Sequence, residues 1–142
     1  MMYFKNREKI KEYYIKEDYY KNRPVGISAM MRVGDEEEFI EASILSVIDF
    51  FDEILVVLNN PRDNTENIVR SIKNKKIKIL KYPFKLFPNG PGHDNNYEDS
   101  ITEIAYYYNW CLSKTKYSHV CKWDGDMVAI NSFKNINKNI IF

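Results

Sequence analysis

Residues 25–58, VGISAMMRVGDEEEFIEASILSVIDFFDEILVVL, decide the fold of this chain. The stretch begins with residues 25–31, a short apolar run of strand length. It ends with residues 54–58, where no polar residue interrupts the apolar ones, as is typical of strands covered on both faces in parallel sheets. Between the two runs, apolar residues recur at helical spacing on one face, at Ile40, Ile44, Val47, Ile48 and Phe51. The stretch therefore predicts a strand, a helix and a second, buried strand.

Side chains that commonly cap helices mark two helix starts. Gly34 interrupts the first apolar run, and Asp35 followed three residues later by Glu38 has the spacing of a capping box. The first helix is therefore predicted to begin at Asp35. Residues 63–65, Asp-Asn-Thr, predict the start of a second helix that continues through Lys73.

The alternation of strands and helices continues along the chain. Residues 77–82 predict a third strand, and the lysines that alternate with its apolar residues place it near an edge of the sheet. A helix from Ser100 and a strand over residues 119–123 follow, and the inner face of that helix is expected to carry Ile101, Ile104, Ala105, Tyr108, Cys111 and Leu112. This order predicts an α/β fold with a mostly parallel sheet of right-handed βαβ units.

Three parts of the chain are predicted. Residues 1–24 are expected to form a polar helical extension, with a helix over residues 5–21 that ends before Pro24. Residues 25–128 form the α/β domain, and its loop over residues 83–99, rich in Pro, Gly and Asn, is expected to be functional because loops this long in compact domains usually are. Residues 129–142 are a tail in which Phe133, Ile136 and Ile140 have the spacing of an amphipathic helix.

Composition excludes several classes of protein. The 142 residues are 44% hydrophobic, enough for one domain with a core, and a net charge of +1 gives no reason to expect a nucleic-acid partner. Two cysteines cannot form a disulfide framework, and no apolar stretch has the length of a membrane span. The cytoplasm is the expected compartment, with peripheral contact to a membrane as an alternative.

Polar residues follow the predicted strands at the ends where ligands bind in open α/β sheets. Arg32 ends the first strand, Asn59 and Asn60 follow the second, and Asp124 and Asp126 follow the fourth. Because the carboxyl ends of parallel strands meet at one edge of a sheet, these side chains are expected to converge there.

Asp124 and Asp126 are separated only by Gly125, so in an extended segment both carboxylates point the same way. Mg²⁺ and Mn²⁺ take one or two protein carboxylates and complete their coordination with phosphate oxygens and water. Placed at the end of a buried strand, the pair predicts a site for Mg²⁺ or Mn²⁺. The alternative is an acidic turn without a metal.

The order of these stretches resembles glycosyltransferase family 2, whose members have the GT-A fold with a Rossmann-like nucleotide-binding half. The resemblance lies in residues 26–68 (GISAMMRVGDEEEFIEASILSVIDFFDEILVVLNNPRDNTENI), residues 109–123 (NWCLSKTKYSHVCKW) and residues 124–128 (DGDMV). It covers only the nucleotide-binding part of such an enzyme. It implies transfer of a sugar from a nucleotide-diphosphate sugar with the help of a divalent metal.

The resemblance also implies roles for individual residues. Asp124 would touch the ribose or the metal, Asp126 would coordinate the metal, and Met31 and Arg32 would line the nucleotide pocket. Asn59 stands where the family commonly has an acidic residue that pairs with the base. Two further residues are placed in the nucleotide-sugar site by position alone. Asn60 lies at the same edge, and Asn109 lies one turn after Ala105, with helix packing as its alternative role.

The predicted function is therefore metal-dependent transfer of a sugar to a glycan, lipid or protein acceptor. Residues 127–142 contain no Asp, Glu or His that could act as the general base. Two alternatives follow: the chain is a fragment whose acceptor half is truncated, or it is a module that binds nucleotide or a partner without turnover. A sugar nucleotidyltransferase of the same fold is a further alternative, although residues 30–38 are acidic rather than glycine-rich and basic. Apolar sheet surface left uncovered in a half-domain would favour a homo-oligomer.

Overall fold

The computed structural model describes residues 11–87, 100–131 and 135–136 of the chain. Its centre is a four-stranded sheet in the order β3-β2-β1-β4, and every neighbouring pair of strands is parallel. The strands are β1 (Ile27–Val33), β2 (Glu53–Leu58), β3 (Ile77–Lys81) and β4 (His119–Lys122). The predicted α/β class with a parallel sheet is confirmed.

Three α-helices connect the strands: α1 (Ile40–Val47), α2 (Thr65–Ser71) and α3 (Ile104–Lys114). Two short 3₁₀ turns, Lys11–Tyr13 and Ser100–Thr102, complete the secondary structure of the described residues. Residues of α1 and α2 belong to one hydrophobic core and residues of α3 to another. The helices thus cover both faces of the sheet.

The first core lies between the sheet and helices α1 and α2. Strand residues alternate between faces, so one set of side chains from β1 and β2 points into this core. Both faces of β2 are covered, and all six of its residues are buried, as the uninterrupted apolar run predicts. The buried members of the first core are Ile27, Ala29, Met31, Val33, Ile40, Ile44, Val47, Phe51, Ile54, Val56, Leu58, Val69 and Trp123.

The second core lies between the sheet and α3 and is mostly aromatic. Tyr82 is fully buried at its centre, with ring centroids 4.6 Å from Tyr107 and 4.9 Å from Trp110. The Tyr82 hydroxyl donates a hydrogen bond to the Ile101 carbonyl oxygen at 2.6 Å. The remaining buried members are Leu55, Val57, Phe84 and Cys111.

The outermost strands carry exposed charged side chains. The predicted edge position of the third strand is confirmed, because β3 pairs only with β2, and Lys78 and Lys81 are exposed. On the other side of the sheet, β4 pairs only with β1 and exposes His119 and Lys122.

The predicted start of the first helix is wrong. The α-helix begins at Ile40, and no side chain caps it. Asp35 instead accepts hydrogen bonds from the Arg62 backbone N–H at 2.6 Å and from the Arg62 guanidinium Nε at 2.9 Å. The Asp35 carboxylate therefore binds Arg62, far along the chain, instead of capping the helix. Local sequence spacing cannot predict such a partner. The second helix is also shorter than predicted, since α2 ends at Ser71.

The predicted inner face of the third helix is wrong in part. Tyr107, Trp110 and Cys111 are the buried residues of α3, whereas Ala105 and Tyr108 are exposed. Aromatic residues follow one another in this helix, so apolar periodicity alone did not fix which face lies inward.

The predicted N-terminal helix is not observed over residues 11–21, the part of it that lies within the described residues. Residues 5–10 lie outside the described part of the chain, and residues 11–21 form a 3₁₀ turn over Lys11–Tyr13 followed by further turns. Tyr13 packs in the second core, with its ring centroid 5.5 Å from that of Tyr82 and 4.8 Å from that of Phe84. This segment therefore completes the second core.

Arg23 fastens the same segment to the end of α3. Its guanidinium donates to the Leu112 carbonyl oxygen at 3.1 Å, to Thr115 Oγ1 at 2.8 Å and to the Tyr117 carbonyl oxygen at 3.1 Å. Its Nε donates to the Tyr19 carbonyl oxygen at 3.1 Å. A cation at the carboxyl end of a helix also interacts favourably with the helix dipole.

We expect Arg23→Lys to lower the free energy of unfolding by about 1–2 kcal/mol, because an ammonium group cannot reach acceptors spread over a planar fork. Urea denaturation measures the change. Arg70→Lys is the matched control, since Arg70 is exposed and its contact with Glu66 at 2.9 Å lies within one helix. Equal effects of the two substitutions would contradict the anchoring role of Arg23.

Several predictions lie outside the described residues. These are residues 88–99 of the predicted functional loop, and Phe133 and Ile140 of the tail. None of the helices in the described ranges combines the length and the apolar character needed to cross a membrane.

Candidate functional site

The strand order reverses between β1 and β4, and in open α/β sheets such a reversal forms a crevice outside the carboxyl ends of the two strands. From β1 the chain proceeds to β2 and β3 on one side, whereas β4 pairs with β1 on the other side. Ligands of open α/β sheets bind outside the carboxyl ends of the strands at such a reversal of strand order. The Asp124–Gly125–Asp126 segment follows β4 directly, so it lies at this position.

The segment is anchored on α1. The Trp123 backbone N–H donates to the Met30 carbonyl oxygen at 3.1 Å, and its indole N–H donates to Ser43 Oγ at 3.1 Å. Ser43 Oγ in turn donates to the Asp124 carbonyl oxygen at 3.1 Å. The Met127 N–H closes a turn on the same oxygen at 3.1 Å. The backbone of the two aspartates is thus fixed by buried groups, while the Asp124 side chain is half-buried and that of Asp126 is exposed.

Glu36, which follows β1, lies against this turn. A Cβ atom placed on Gly125 would be 3.3 Å from Glu36 Cγ and 3.2 Å from Ile40 Cδ1, so a larger residue at position 125 would crowd both side chains. The glycine therefore permits the turn and Glu36 to approach closely.

Negative charge accumulates at this crevice. Burial raises the pKa of the Glu36 carboxyl, and the charges of Asp126, Asp124, Asp63 and Asp35 raise it further. These carboxylates are therefore close enough to Glu36 to repel its negative charge. A bound cation would relieve this repulsion.

Two of these carboxylates, those of Asp35 and Asp63, already accept hydrogen bonds from residues of the loops that follow β1 and β2. Asp35 is paired with Arg62, whose hydrogen bonds lower the pKa of the Asp35 carboxyl. Asp63 accepts hydrogen bonds from the backbone N–H groups of Thr65 at 2.9 Å and Glu37 at 3.0 Å. They hold together the loops that follow β1 and β2.

Carboxylate oxygens such as those of Asp124 and Asp126 are of the type that a hard divalent cation accepts as ligands. Within residues 11–87, 100–131 and 135–136, no three side chains of His, Cys, Asp or Glu are grouped so as to hold a metal ion. Mg²⁺ commonly needs only one or two protein carboxylates when a substrate supplies phosphate oxygens. Lys122 Nζ contacts Asp124 Oδ2 at 2.9 Å, so Asp126 is the less encumbered of the two.

The two asparagines after β2 differ in their surroundings. Asn59 is half-buried, and its side-chain amide donates to the carbonyl oxygens of Tyr82 at 2.7 Å and Phe84 at 2.9 Å. The side-chain N–H groups of Asn59 are thus engaged with the chain that follows β3. Only its side-chain oxygen is left to accept a hydrogen bond from a nucleotide base. Asn60 is exposed, in a left-handed conformation with φ of 49°.

Met31 and Arg32 point to opposite faces of the sheet. Met31 is fully buried in the first core, so its side chain does not line a surface pocket as predicted. Arg32 faces α3, where its guanidinium carbon lies 3.4 Å from the centroid of the Tyr108 ring. Its Nε and Nη1 are buried and have no hydrogen-bond acceptor among the described residues. Asn109 is exposed on α3.

Glu36 was missed by sequence reasoning. The sequence carried a signal for it, because Glu36 lies between the predicted first strand and the apolar face of the first helix, at the same end of the sheet as Asp124 and Asp126. Glu36 was instead assigned to the first helix, which was predicted to begin at Asp35 but begins at Ile40.

Comparison of the chain with protein-family models and with curated proteins finds no match. The likeness to glycosyltransferase family 2 remains a prediction from the motifs.

Proposed function

We propose that this domain binds a nucleotide-diphosphate sugar and Mg²⁺ or Mn²⁺ at the crevice between β1 and β4, and that it transfers the sugar to an acceptor. One observation carries the proposal. The Asp124–Gly125–Asp126 turn is anchored at the reversal of strand order with Glu36 against it, which produces an acidic crevice where α/β sheets bind ligands.

The residues of the crevice have distinct roles in this proposal. Asp126 and Asp124 hold the divalent ion, which when bound neutralises the charge of the diphosphate as a leaving group. Glu36 adds to the negative potential that attracts the ion. The Ser43 and Trp123 contacts fix the turn, so the carboxylates are positioned before the ligand arrives.

Arg32 is the candidate for direct contact with the anionic part of the donor. Its buried Nε and Nη1 lack an acceptor in the described part of the chain, and its planar group is held against Tyr108. A phosphate oxygen would satisfy these donors, since a buried charged group left unpaired is costly. Asn59 and Asn60 border the same edge on the side of β2.

A second candidate function is nucleotide binding without transfer. It needs only the binding groups described above, the carboxylates of Asp124 and Asp126 and the Arg32 guanidinium. The two functions share the site and differ only in turnover.

Thermal unfolding with nucleotides tests the shared part of the proposal. UDP or GDP with Mn²⁺ should raise the melting temperature by several degrees, since ligand at about 100 times its Kd stabilises by about 2.7 kcal/mol. Asp126→Ala should abolish the shift, because it removes the less encumbered carboxylate. Asp49→Ala is the matched control, an exposed aspartate that follows α1 near the opposite edge of the sheet. If no nucleotide raises the melting temperature of the unsubstituted protein, both candidate functions are excluded.

Release of sugar then separates the two candidates. Donor hydrolysis or transfer is measured with UDP-, GDP- and TDP-sugars in the presence of Mn²⁺. Turnover that Asp126→Ala removes supports the transferase. Nucleotide binding without any turnover supports the binding module.

A further inference from the structure

A basic cleft lies at the other end of the strands. It has a volume of about 480 Å³ and is lined by Lys75, Lys76, Lys78 and Lys116, together with Tyr117. Lys75 and Lys76 precede β3, and Lys116 precedes β4, so the cleft opens at the amino ends of the strands, away from the acidic crevice. Ligand pockets in proteins commonly have volumes of about 300–1,000 Å³.

The two acidic residues of the cleft are engaged within the fold. Asp52 Oδ2 accepts a hydrogen bond from the Ile27 backbone N–H at 2.9 Å. Glu53 is buried, and its Oε2 accepts from Ser28 Oγ at 2.6 Å and from the Lys116 backbone N–H at 2.8 Å. These carboxylates therefore fasten the amino ends of the strands.

The lysines of the cleft use only part of their hydrogen-bonding capacity within the fold. Lys76 Nζ donates to the Ile48 carbonyl oxygen at 2.9 Å and Lys78 Nζ donates to the Lys114 carbonyl oxygen at 3.2 Å, which leaves further N–H groups on each. Lys116 Nζ lies 5.0 Å from the centroid of the Tyr117 ring. Among the residues that the structure describes, no ion pair includes any of the four lysines.

Further lysines extend this basic region beyond the cleft. The pKa of Lys114 is lowered, first by burial and then by the nearby charges of Lys78 and Lys16. Lysines from the N-terminal segment, β3 and the end of α3 are thus close enough to repel one another. A multivalent anion would remove that repulsion.

We propose that the basic cleft binds a ligand that carries two or more phosphate groups. The four lysines outnumber the two carboxylates of the cleft, and their ammonium groups come from two separate segments of the chain around one cavity, so they can contact several phosphate oxygens at once. The ligand is either a soluble polyphosphate compound or the phosphorylated head group of a membrane lipid. This site is separate from the crevice that holds Asp124 and Asp126.

Calorimetric titration with inorganic tripolyphosphate in the presence of EDTA tests the cleft without a divalent ion. We expect the unsubstituted protein and Asp126→Ala to bind alike, which separates this proposal from the proposed nucleotide site. The double variant Lys75→Gln with Lys116→Gln should bind at least about tenfold more weakly, because two charge-assisted contacts are lost. Neither of these side chains donates a hydrogen bond to another described residue, and circular dichroism verifies that the variant is folded.

The control for this experiment is Lys21→Gln with Lys85→Gln. Both lysines are exposed and lie outside the cleft, so this double variant changes the net charge equally. Retained binding in the control together with loss in the cleft variant supports a specific site. No binding by the unsubstituted protein, to either tripolyphosphate or lipid, overturns the proposal, and so does an equal loss in the two double variants.

Vesicle flotation distinguishes the two sources of phosphate. The vesicles are phosphatidylcholine with and without a phosphoinositide bisphosphate. Flotation that requires the phosphoinositide and disappears in the cleft variant but not in the control identifies a lipid head group. Binding of tripolyphosphate without flotation identifies a soluble ligand.

Discussion

Tyr82→Ala is expected to lower the free energy of unfolding by about 4 kcal/mol, which is the usual range for removing a buried aromatic side chain. Tyr82 is fully buried, and its ring lies within 5.5 Å, centroid to centroid, of the rings of Tyr13, Phe84, Tyr107 and Trp110. The substitution would leave a cavity on which all these rings border. Since domains are stable by about 5–15 kcal/mol, the variant should unfold at a much lower urea concentration.

Two further substitutions make this result interpretable. Tyr82→Phe retains the ring and loses only the hydrogen bond to the Ile101 carbonyl oxygen, so it should cost about 1 kcal/mol. Tyr20→Ala removes a tyrosine that is 61% exposed and should cost less than about 1 kcal/mol. A loss for Tyr82→Ala no larger than that for Tyr20→Ala would show that the aromatic core does not pack as described.

Gly26→Ala is expected to lower the free energy of unfolding by about 2–3 kcal/mol, in the range of overpacked interiors. A Cβ atom at position 26 would lie 2.3 Å from Cδ1 and 2.8 Å from Cγ of Tyr117, closer than atoms that are not bonded can approach. Relief of the Cγ contact requires a rotation of the ring about Cα–Cβ or a shift of the Tyr117 backbone, whose N–H donates to Ser28 Oγ at 3.1 Å. Thermal and urea unfolding measure the loss.

A second glycine and a second substitution provide the controls for Gly26→Ala. A Cβ atom on Gly34 would meet nothing within 4 Å, so Gly34→Ala should change the stability little. Tyr117→Ala removes the ring that a Cβ on Gly26 would strike. In that background Gly26→Ala should cost much less, a coupling that a double-mutant cycle measures. Equal costs in the two backgrounds would refute the steric explanation.

The fold could be predicted largely from the pattern of apolar residues. Residues 54–58 are apolar without interruption because β2 is covered on both faces, and that run alone indicates a central parallel strand. The lysines of residues 77–82 likewise indicate an edge strand, because one end of each lysine side chain requires water.

Long-range partners explain the parts of the fold that were predicted wrongly. Asp35 has the spacing of a cap, but Arg62 takes its carboxylate through contacts that no local pattern contains. The N-terminal segment has too few apolar residues to be predicted as part of a core. Its Tyr13 nevertheless fills the space beside Tyr82, and Arg23 secures it to α3.

In the candidate site, too, some positions could be predicted from the sequence and others could not. The positions of Asp124 and Asp126 follow from the order of strands, which the sequence indicates well. Met31 was placed beside Arg32 in one pocket, although neighbouring residues of a strand point to opposite faces. That alternation could have excluded Met31 from the pocket. The basic cleft could not be predicted, because Lys116 is distant in sequence from Lys75, Lys76 and Lys78, and only the folded chain brings it beside them.

The exposed lysines of the outermost strands have a consequence for contacts between molecules. A strand at the margin of a sheet offers unpaired backbone groups to any similar strand, and this is a common route to lateral growth and aggregation. Here Lys78 and Lys81 stand on one margin and Lys122 on the other. A second copy that paired with either margin would have to remove water from these charged side chains. This cost opposes extension of the sheet into a fibre of stacked domains.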